Sequence, residues 1–570
     1  MSLFGSIQLA GNTLQAMQIG LNVVGNNIAN ANTPGFVRER VLYQPAPVQQ
    51  IANLTLGSGV EIAGIVQSVD KFVENRLRDA GSDVASADVQ EKVYRDLQSI
   101  LGELSDSDIS TSLSNFFNAV DLVTQTPEDV AIRGLAVRNG EQLTVAVNTL
   151  DRRVRTVHQD FNQRVGNIAD EINTLTEQIR QLNLKIVVAE GSRSTGSDAG
   201  GLRSQRNVAL KKLSQLVDIK VSERDTGVVN VSTGSEFLVF EGANRQVKSV
   251  QTSNDGLLKA TIKFADNNNP LSVSGGELGG IYESRDTIVG GFLNRLDEFA
   301  ASLANKFNQV FSQGQGVTGF SEVTSAVGVA DPALPLDAAG LNFTPVNGSF
   351  DVLVRTKSQN PNDPPLTTPT TVSVDLNGLD GDLTLNGLVQ SLDAIDGISA
   401  KLSPDNELVI RSESSDIDFS FSGDTSGVLA ALGINTFFTG STAGDLGVNN
   451  VLKADGSKFA ASLSGIGVGV ENALNLINLN DQSLNGSNGE TIGAVYDQLI
   501  NETTQGATIT ASIADGLRTF ESSLDASSQA VSGVNLDEEA VNMIFLQRTF
   551  QASARYISTL SDLLDTLINL

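Results

Sequence analysis

The sequence predicts a multidomain α+β protein: an elongated, hairpin-like chain with coiled-coil helices at both termini, a long-helix body and β-rich insertions far from the ends. Three observations lead there. Apolar residues recur at alternating three- and four-residue steps near both ends, the seam of helices made to pack on helices. Steps of three or four residues also run over 143–186, alternating except for one four-four pair between Val157 and Val165. Between about 316 and 455 the chain turns rich in Pro, Asn, Asp, Thr and Gly, with nine of its 13 prolines at Pro270 or later, which ends helices and favours short strands. At 570 residues one core does not suffice, and roughly three or four domains are expected. The expected division is a terminal helical assembly domain over 1–60 and 530–570, a helical body with β-hairpin elements over 61–315 and 456–529, and a β-rich outer insertion over 316–455.

Residues 1–37 contain no Asp, Glu, Lys or Arg, in a chain where charged residues are 18%. Leu3, Ile7, Ala10, Leu14, Met17, Leu21, Val24 and Ile28 form an a/d seam, while Ser6, Gln8, Asn12, Gln15, Gln18, Asn22, Asn26 and Asn27 keep the other faces neutral. A solvated helix would carry Glu and Lys there, so this segment reads as one surrounded by protein. A membrane span is disfavoured, because those amides would be unsatisfied in lipid. Met1-Ser2-Leu3-Phe4 supplies no basic n-region, so classical Sec export is not expected. Gly11, Gly20 and Gly25 each cost about 1 kcal/mol inside a helix, which leaves the isolated helix marginal. It should stop at Asn32-Thr33-Pro34-Gly35-Phe36, since the residue before proline avoids the α region and Pro-Gly turns the chain.

Extended or hairpin structure is expected up to about residue 65, then helices over 69–80, 87–104 and 112–124, with Pro127 as punctuation. The 143–186 stripe includes Leu143, Val154, Val157, Phe161, Val165, Ile172, Ile179 and Ile186, a rod roughly 65 Å long at 1.5 Å per residue. A Gly/Ser loop over 191–201 leads to a helix over 202–216, strands over 217–262 and a helix striped by Phe292, Leu296, Phe299, Leu303 and Phe307. In the insertion, strands are expected at 352–354, 372–376, 408–410 and 417–421 around a short helix at 385–395. Helical stepping returns at Ile492 and again at Ile513. The last helix opens at Asn535, a capping residue with Glu538 three positions on, as in a capping box. Its expected seam is Leu536, Ala540, Met543, Phe550, Ala554, Ile557, Leu564 and Ile568, interrupted by Gln547 and Ser561.

Composition excludes several functions. The balance of 38 basic against 66 acidic residues gives a charge of -28, which repels nucleic acid and anionic membranes. With no cysteine and one histidine, disulfides, thiolate sites and multi-histidine metal centres are ruled out. That histidine, His158, is expected at a solvated helix position. Gly465-Ile466-Gly467-Val468-Gly469 lacks the third glycine of a nucleotide loop, and Asp380-Gly381-Asp382 lacks the rest of a calcium loop, so plain turns are expected at both. No catalytic constellation, cofactor site or metal site is expected.

The ends carry a resemblance. Asn27-Ile28-Ala29-Asn30-Ala31-Asn32-Thr33-Pro34-Gly35-Phe36 resembles the N-terminal signature shared by bacterial flagellar rod, hook and hook-associated axial proteins. Residues 532–540 and 547–555 resemble the C-terminal signature of the hook-associated members. Segments 202–218 and 275–285 are also similar to those members, and 316–455 is only weakly so. Hook and distal rod relatives have mainly β bodies, which do not suit the 143–186 rod; flagellin has a helical body without the Asn-Thr-Pro-Gly-Phe turn. The resemblance therefore implies a structural, non-enzymatic junction between hook and filament, with a hook or distal rod protein as the alternative. It further implies an extracellular place in the flagellum and export by the flagellar type III apparatus without a cleaved signal. The implied partners are further copies of the chain, the hook protein, a second junction protein on the filament side and a cytoplasmic chaperone on the C-terminal helix. A secreted adhesin or enzyme carried by the insertion is the rival of another class.

The expected assembly interface comprises Leu3, Ile7, Leu14, Met17, Leu21, Val24, Ile28, Asn32, Pro34, Gly35 and Phe36 with Leu536, Met543, Phe550, Ile557, Leu564 and Ile568. In a single chain these helices are expected to lack partners and to fold on docking, each buried stripe side chain contributing up to about 1.5 to 3 kcal/mol.

Overall fold

The computed structural model describes residues 3–51, 54–102, 108–191, 196–254, 257–357, 366–379, 381–482 and 491–569. The side chains of Leu3 and Phe4, and residue Asp380, lie outside the described residues. In chain order the first half comprises α1 (Leu3–Ala29), β1 (Glu39–Pro45), β2 (Gln49–Ile51), β3 (Leu54–Leu56), β4 (Val60–Gln67), α2 (Lys71–Gly102), α3 (Ile109–Gln125), α4 (Val130–Glu190) and α5 (Gly200–Leu216). Strands β5 (Lys220–Glu223), β6 (Val229–Thr233), β7 (Glu236–Phe240), β8 (Ala243–Asn244), β9 (Val247–Asn254) and β10 (Leu257–Phe264) follow, then α6 (Gly276–Glu283), a π-helical stretch (Ser284–Val289) and α7 (Gly290–Phe311). The second half comprises β11 (Glu322–Thr324), β12 (Gly348–Thr356), β13 (Leu366–Val374), α8 (Leu385–Asp393), β14 (Ile398–Leu402), β15 (Leu408–Ser412), β16 (Ile417–Ser422), α9 (Val428–Leu432), β17 (Phe438–Thr439), β18 (Gly447–Val448), α10 (Asn450–Ala454), α11 (Glu471–Asn478), α12 (Ile492–Ser532) and α13 (Leu536–Ile568). The chain is multidomain α+β, as its patterning predicts. It forms two compact units, one of 1–93, 159–285 and 508–570 and the other of 94–158 and 286–507.

The first unit holds both chain ends. Its main core sets Val165, Ile168, Ile172 and Ile179 of α4 against Leu210 and Leu213 of α5, Val231 and Leu238 of the sheet β5-β6-β7-β8, and Ile262 and Phe264 of the β9–β10 hairpin. Three asparagines of α4 bind strand backbone through donor and acceptor together. Asn162 takes Leu258 O and Ala260 N, Asn173 takes Val247 O and N at 2.8 Å each, and Asn183 takes Val229 O and N at 2.8 and 3.2 Å. Each bond pair satisfies a strand edge that would otherwise be unpaired against the helix. Helix α2 is continuous where the sequence suggested a break near residue 81. Gly81 is buried, and a Cβ there would sit 3.4 Å from Glu521 of α12, so the small residue serves close packing rather than a turn.

The second unit is centred on phenyl rings. Phe116 of α3, Phe307 and Phe311 of α7, and Phe437, Phe438 and Phe459 pack with neighbouring centroids 4.8 to 6.1 Å apart. Two three-stranded sheets, β13-β12-β16 and β11-β15-β14, enclose a core with α8 that includes Val352, Leu388, Ile410 and Phe421. Strands β12, β13, β15 and β16 and helix α8 fall where the sequence predicted them.

One expectation is corrected on α4. His158 is buried rather than solvated, and Asn162 is buried with it, while Val157 and Phe161 are half-buried. The four-four step in the stripe explains the exchange: with two consecutive steps of four, the inward face between Val154 and Val165 passes through 158 and 162 instead of 157 and 161.

Candidate assembly interface

Helix α1 packs along α13, and the β1–β4 hairpin flanks the pair. In the single chain the two terminal helices therefore partner each other, against the expectation that they lack partners. Ala16, Met17 and Val24 of α1 and Leu546 of α13 are buried in one cluster, joined by Leu21, Ile28, Val60, Ile62, Met543 and Phe550. Gly20 permits the close approach: a Cβ there would meet the Tyr43 hydroxyl at 2.6 Å and Leu546 at 3.2 Å.

The helix ends in a hydrogen-bonded turn, Thr33 N to Asn30 O at 2.9 Å and Phe36 N to Thr33 O at 3.1 Å. Gly35 has φ +76, and a Cβ there would collide with Val208, so glycine is required both by conformation and by space. Past the turn, Arg38 N donates to Ser532 O at 2.9 Å, which fixes the entry of the chain beside the start of α13.

A polar latch closes this end. Asn27, 1% exposed, donates to Glu39 O at 2.9 Å and to Glu539 at 3.2 Å, and accepts from Glu39 N at 3.0 Å. Arg38 pairs with Glu539 at 2.7 Å and with Glu538 at 3.0 Å. The buried Glu539 carboxylate is thus met by a guanidinium and an amide, the condition under which a buried charge is tolerated. Asn535 caps α13 by accepting from Asp537 N and Glu538 N, with Glu538 turned to Arg38 rather than back to the cap. Burial raises the Glu39 carboxyl above its ordinary value; a hydrogen bond from Asn26 opposes this and the charge of Asp198 adds to it.

The residues expected at the interface divide as follows. Met17 and Val24 are buried; Ile7, Leu14, Leu21, Ile28, Phe36, Met543, Phe550, Ile557 and Leu564 are half-buried; Asn32, Pro34, Gly35, Leu536 and Ile568 are exposed. Leu3 belongs to α1, with its side chain outside the described residues. The inward seam of α13 is Glu539, Met543, Leu546, Phe550, Ser553, Ile557, Leu560 and Leu564. Its alternate positions lie one residue before those read from the sequence, so Gln547 and Ser561 are exposed residues and not interruptions. The latch residues Asn27, Arg38 and Glu539 were not picked out by periodicity. The one signal in the sequence was Arg38, the first cation after 37 uncharged residues; Asn27 is one of several like asparagines on α1.

A second apolar face of α13 stays open. Val541, Ile544, Phe545, Tyr556 and Leu563 are exposed, Phe545 by 66%. A shallow cavity of about 250 Å³ lies between Gly20, Val24, Tyr43, Phe545 and Leu546. Among the described residues no helix is long and apolar enough to cross a membrane.

The sequence matches set this arrangement, terminal helices closed on each other with one of them apolar on a further face, among the axial structural proteins of the bacterial flagellum. Residues 7–36 match the family described as flagella basal body rod protein, 527–570 the flagellar basal body rod FlgEFG protein C-terminal family, and 94–323 the helical domain of flagellar hook-associated protein FlgK. Flagellar hook-associated protein 1 of Escherichia coli (strain K12) is 27% identical, with 98% of each chain covered. Its counterpart in Bacillus subtilis (strain 168) is 24% identical over 100% of this chain and 98% of that one. The flagellar hook junction protein FlgK from Burkholderia pseudomallei, a solved structure, aligns with 15% identity and a TM-score of 0.49, covering 80% of this chain and all of that one. Over nearly its whole length the chain is thus similar to flagellar hook-associated protein 1.

Proposed function

We propose that this protein joins hook to filament by self-assembly of its terminal helices, and that it performs no catalysis. The observation that carries this reading is the two-faced α13: one face is closed by α1, and the other presents Val541, Ile544, Phe545, Tyr556 and Leu563 to solvent. Large apolar side chains exposed repeatedly along one side of a helix call for a partner outside the chain. Heterologous contacts that do not close build a helical layer, and the neutral outer residues Gln15, Gln18 and Asn22 of α1 let copies of charge -28 approach without facing like charges. In this reading the α1, turn and α13 residues named from the sequence, from Leu3 to Ile568, form the assembly region: its seam closes α1 on α13 and so presents the outer face that further copies meet. The division into a terminal assembly domain, a helical body and an outer insertion belongs to the same reading.

The family supports assembly into the flagellar axis. Within it, the proposed partners are the hook protein below, a second junction protein on the filament side, and a cytoplasmic chaperone that masks α13 before export through the type III apparatus without a cleaved signal. The proposed place is outside the cell. The match of 94–323 to a hook-associated helical domain favours the junction over a hook or distal rod protein.

The test uses positions that do not support the fold. Phe545→Asp and Leu563→Asp replace exposed side chains, so the melting temperature should stay within about 2 °C while incorporation into flagella is lost. Normal incorporation of both variants would overturn the reading.

A further inference from the structure

Two exposed aromatic faces lie in the first unit, away from the terminal helices. The first is built by a β-bulge. Val231 pairs with Val239 but Ser232 pairs with Phe237, so Leu238 is the extra residue in β7. Leu238 and Val239 both turn into the core, and Phe237 and Phe240 both turn to solvent with ring centroids 4.9 Å apart. Glu241 (φ 47) and Gly242 (φ 90) then form the tight turn into β8, and a Cβ on Gly242 would sit 3.4 Å from Leu184 of α4. Leu184 and, one helical turn on, Val188 are also exposed. Arg224 lies over the Phe240 ring at 5.9 Å and pairs with Glu241 at 3.1 Å. Both partners of that pair are more than half exposed, so the pair is weak and readily exchanged. Bulges re-aim side chains, and this one places two phenyl rings of β7 on the surface.

The second face lies on α2 and α12. The Arg76 guanidinium sits over Phe72 at 5.7 Å and over Phe520 at 5.5 Å. Phe72 is 68% exposed, and Phe520 and Arg76 are exposed too. Among the described residues no carboxylate pairs with Arg76; its partners are the two rings. In a chain of charge -28, an exposed arginine held between aromatic rings without an acid is a ready anchor for one.

We propose that the Phe237–Phe240 face of one copy, with Glu241 at its rim, docks on the Phe72–Arg76–Phe520 face of a second copy. The two faces match in chemistry. Both are aromatic at the centre; one offers an exchangeable carboxylate and the other a cation lacking one. Contact between unlike faces repeats from copy to copy, into a ring or an open helix according to the rotation between copies, as a layer of axial subunits requires. It also sets opposite charges together where two strongly acidic copies would otherwise repel. The contact rests on the self-assembly reading and adds to it a lateral surface in the helical body.

Charge reversal in the full-length chain tests it. Arg76→Glu and Glu241→Arg, each at an exposed position, should keep the parent melting temperature and protease pattern. Each should lower incorporation at hook ends by about tenfold or more. The double variant, which presents both reversed charges on every copy, should return to within about twofold of the parent. Phe72→Ser and Phe237→Ser should cause the same loss without changing charge. Normal incorporation of either single reversal, or a double variant no better than the singles, overturns the contact while leaving terminal assembly standing. A parent chain that does not incorporate at all removes the self-assembly reading, and the contact with it.

Discussion

Replacing Asn27 by leucine is the sharpest probe of how the chain ends are held. The change nearly conserves volume at a position 1% exposed and deletes hydrogen bonds of 2.9, 3.0 and 3.2 Å. It strands the N–H and C=O of Glu39 and takes one donor from the buried Glu539 carboxylate. Each buried polar group left unpaired costs about 1–3 kcal/mol. Glu39 is half-buried and regains water in part, so a net loss of about 2–4 kcal/mol is expected. That loss falls on the opening of α1 from β1 and α13, not on the body. Hydrogen exchange read by mass spectrometry over α1 measures it directly, with protection falling about 30- to 700-fold while α4 and α5 keep theirs. A cycle with Glu539→Ala should show a coupling of about 0.5–3 kcal/mol. Protection of α1 within twofold of the parent, or strict additivity in the cycle, would refute the latch.

Other expectations follow from the same contacts. Leu14→Asp or Met17→Asp should leave a soluble, folded body, by circular dichroism and protease pattern, yet block incorporation; incorporation at the parent level would count against the α1–α13 seam. Asn183→Leu strands the buried N–H and C=O of Val229 and should destabilise the β5–β8 sheet by about 2–4 kcal/mol, seen as faster exchange in β6, whereas an unchanged β6 would show that the asparagine bonds are dispensable. Glu190 and Glu223 should make the first unit acid-sensitive. Burial pushes both carboxyls up, but this is outweighed at Glu190 by hydrogen bonds from Arg203 and Ala199 N and at Glu223 by Lys71 and the charges of Arg203 and Arg206, leaving both below the ordinary 4.5. A folded-state pKa below the unfolded one gives stability that is complete above about pH 5 and is lost as pH falls through the lowered values. The melting temperature should therefore be flat from pH 7 to 5 and fall below it, with Glu190→Gln reducing the slope; an identical slope in that variant would remove Glu190 as a cause.

Periodicity revealed the elements far better than it revealed the faces. The helices at both ends, the long α4, and the strands β12, β13, β15 and β16 were legible because each keeps one strong apolar period. On α13 the period was legible but its face was only half so. Met543, Phe550, Ile557 and Leu564 belong to the inward seam, whereas Glu539, Leu546, Ser553 and Leu560 occupy the positions assigned to Ala540, Gln547, Ala554 and Ser561. A helix apolar on two faces offers two stripes to a one-stripe reading, and the buried Glu539 disguises the inner one. His158 misled for a related reason, since a drift of the α4 stripe by one residue, about 100° around the helix, buries a polar residue beside an apolar one. The latch could not be read from spacing, because Asn27 and Glu539 meet across 512 positions of sequence and the α1 asparagines look alike until one of them is buried. The Asn-Thr-Pro-Gly-Phe turn was legible in full, because proline and glycine leave the backbone few alternatives.

The most direct test of the central claim is labelling of this protein on intact flagella. An epitope placed in the β-rich insertion, read by immunogold electron microscopy, should appear as one narrow band at the boundary of hook and filament. Label spread along the whole hook or along the filament would contradict the junction role.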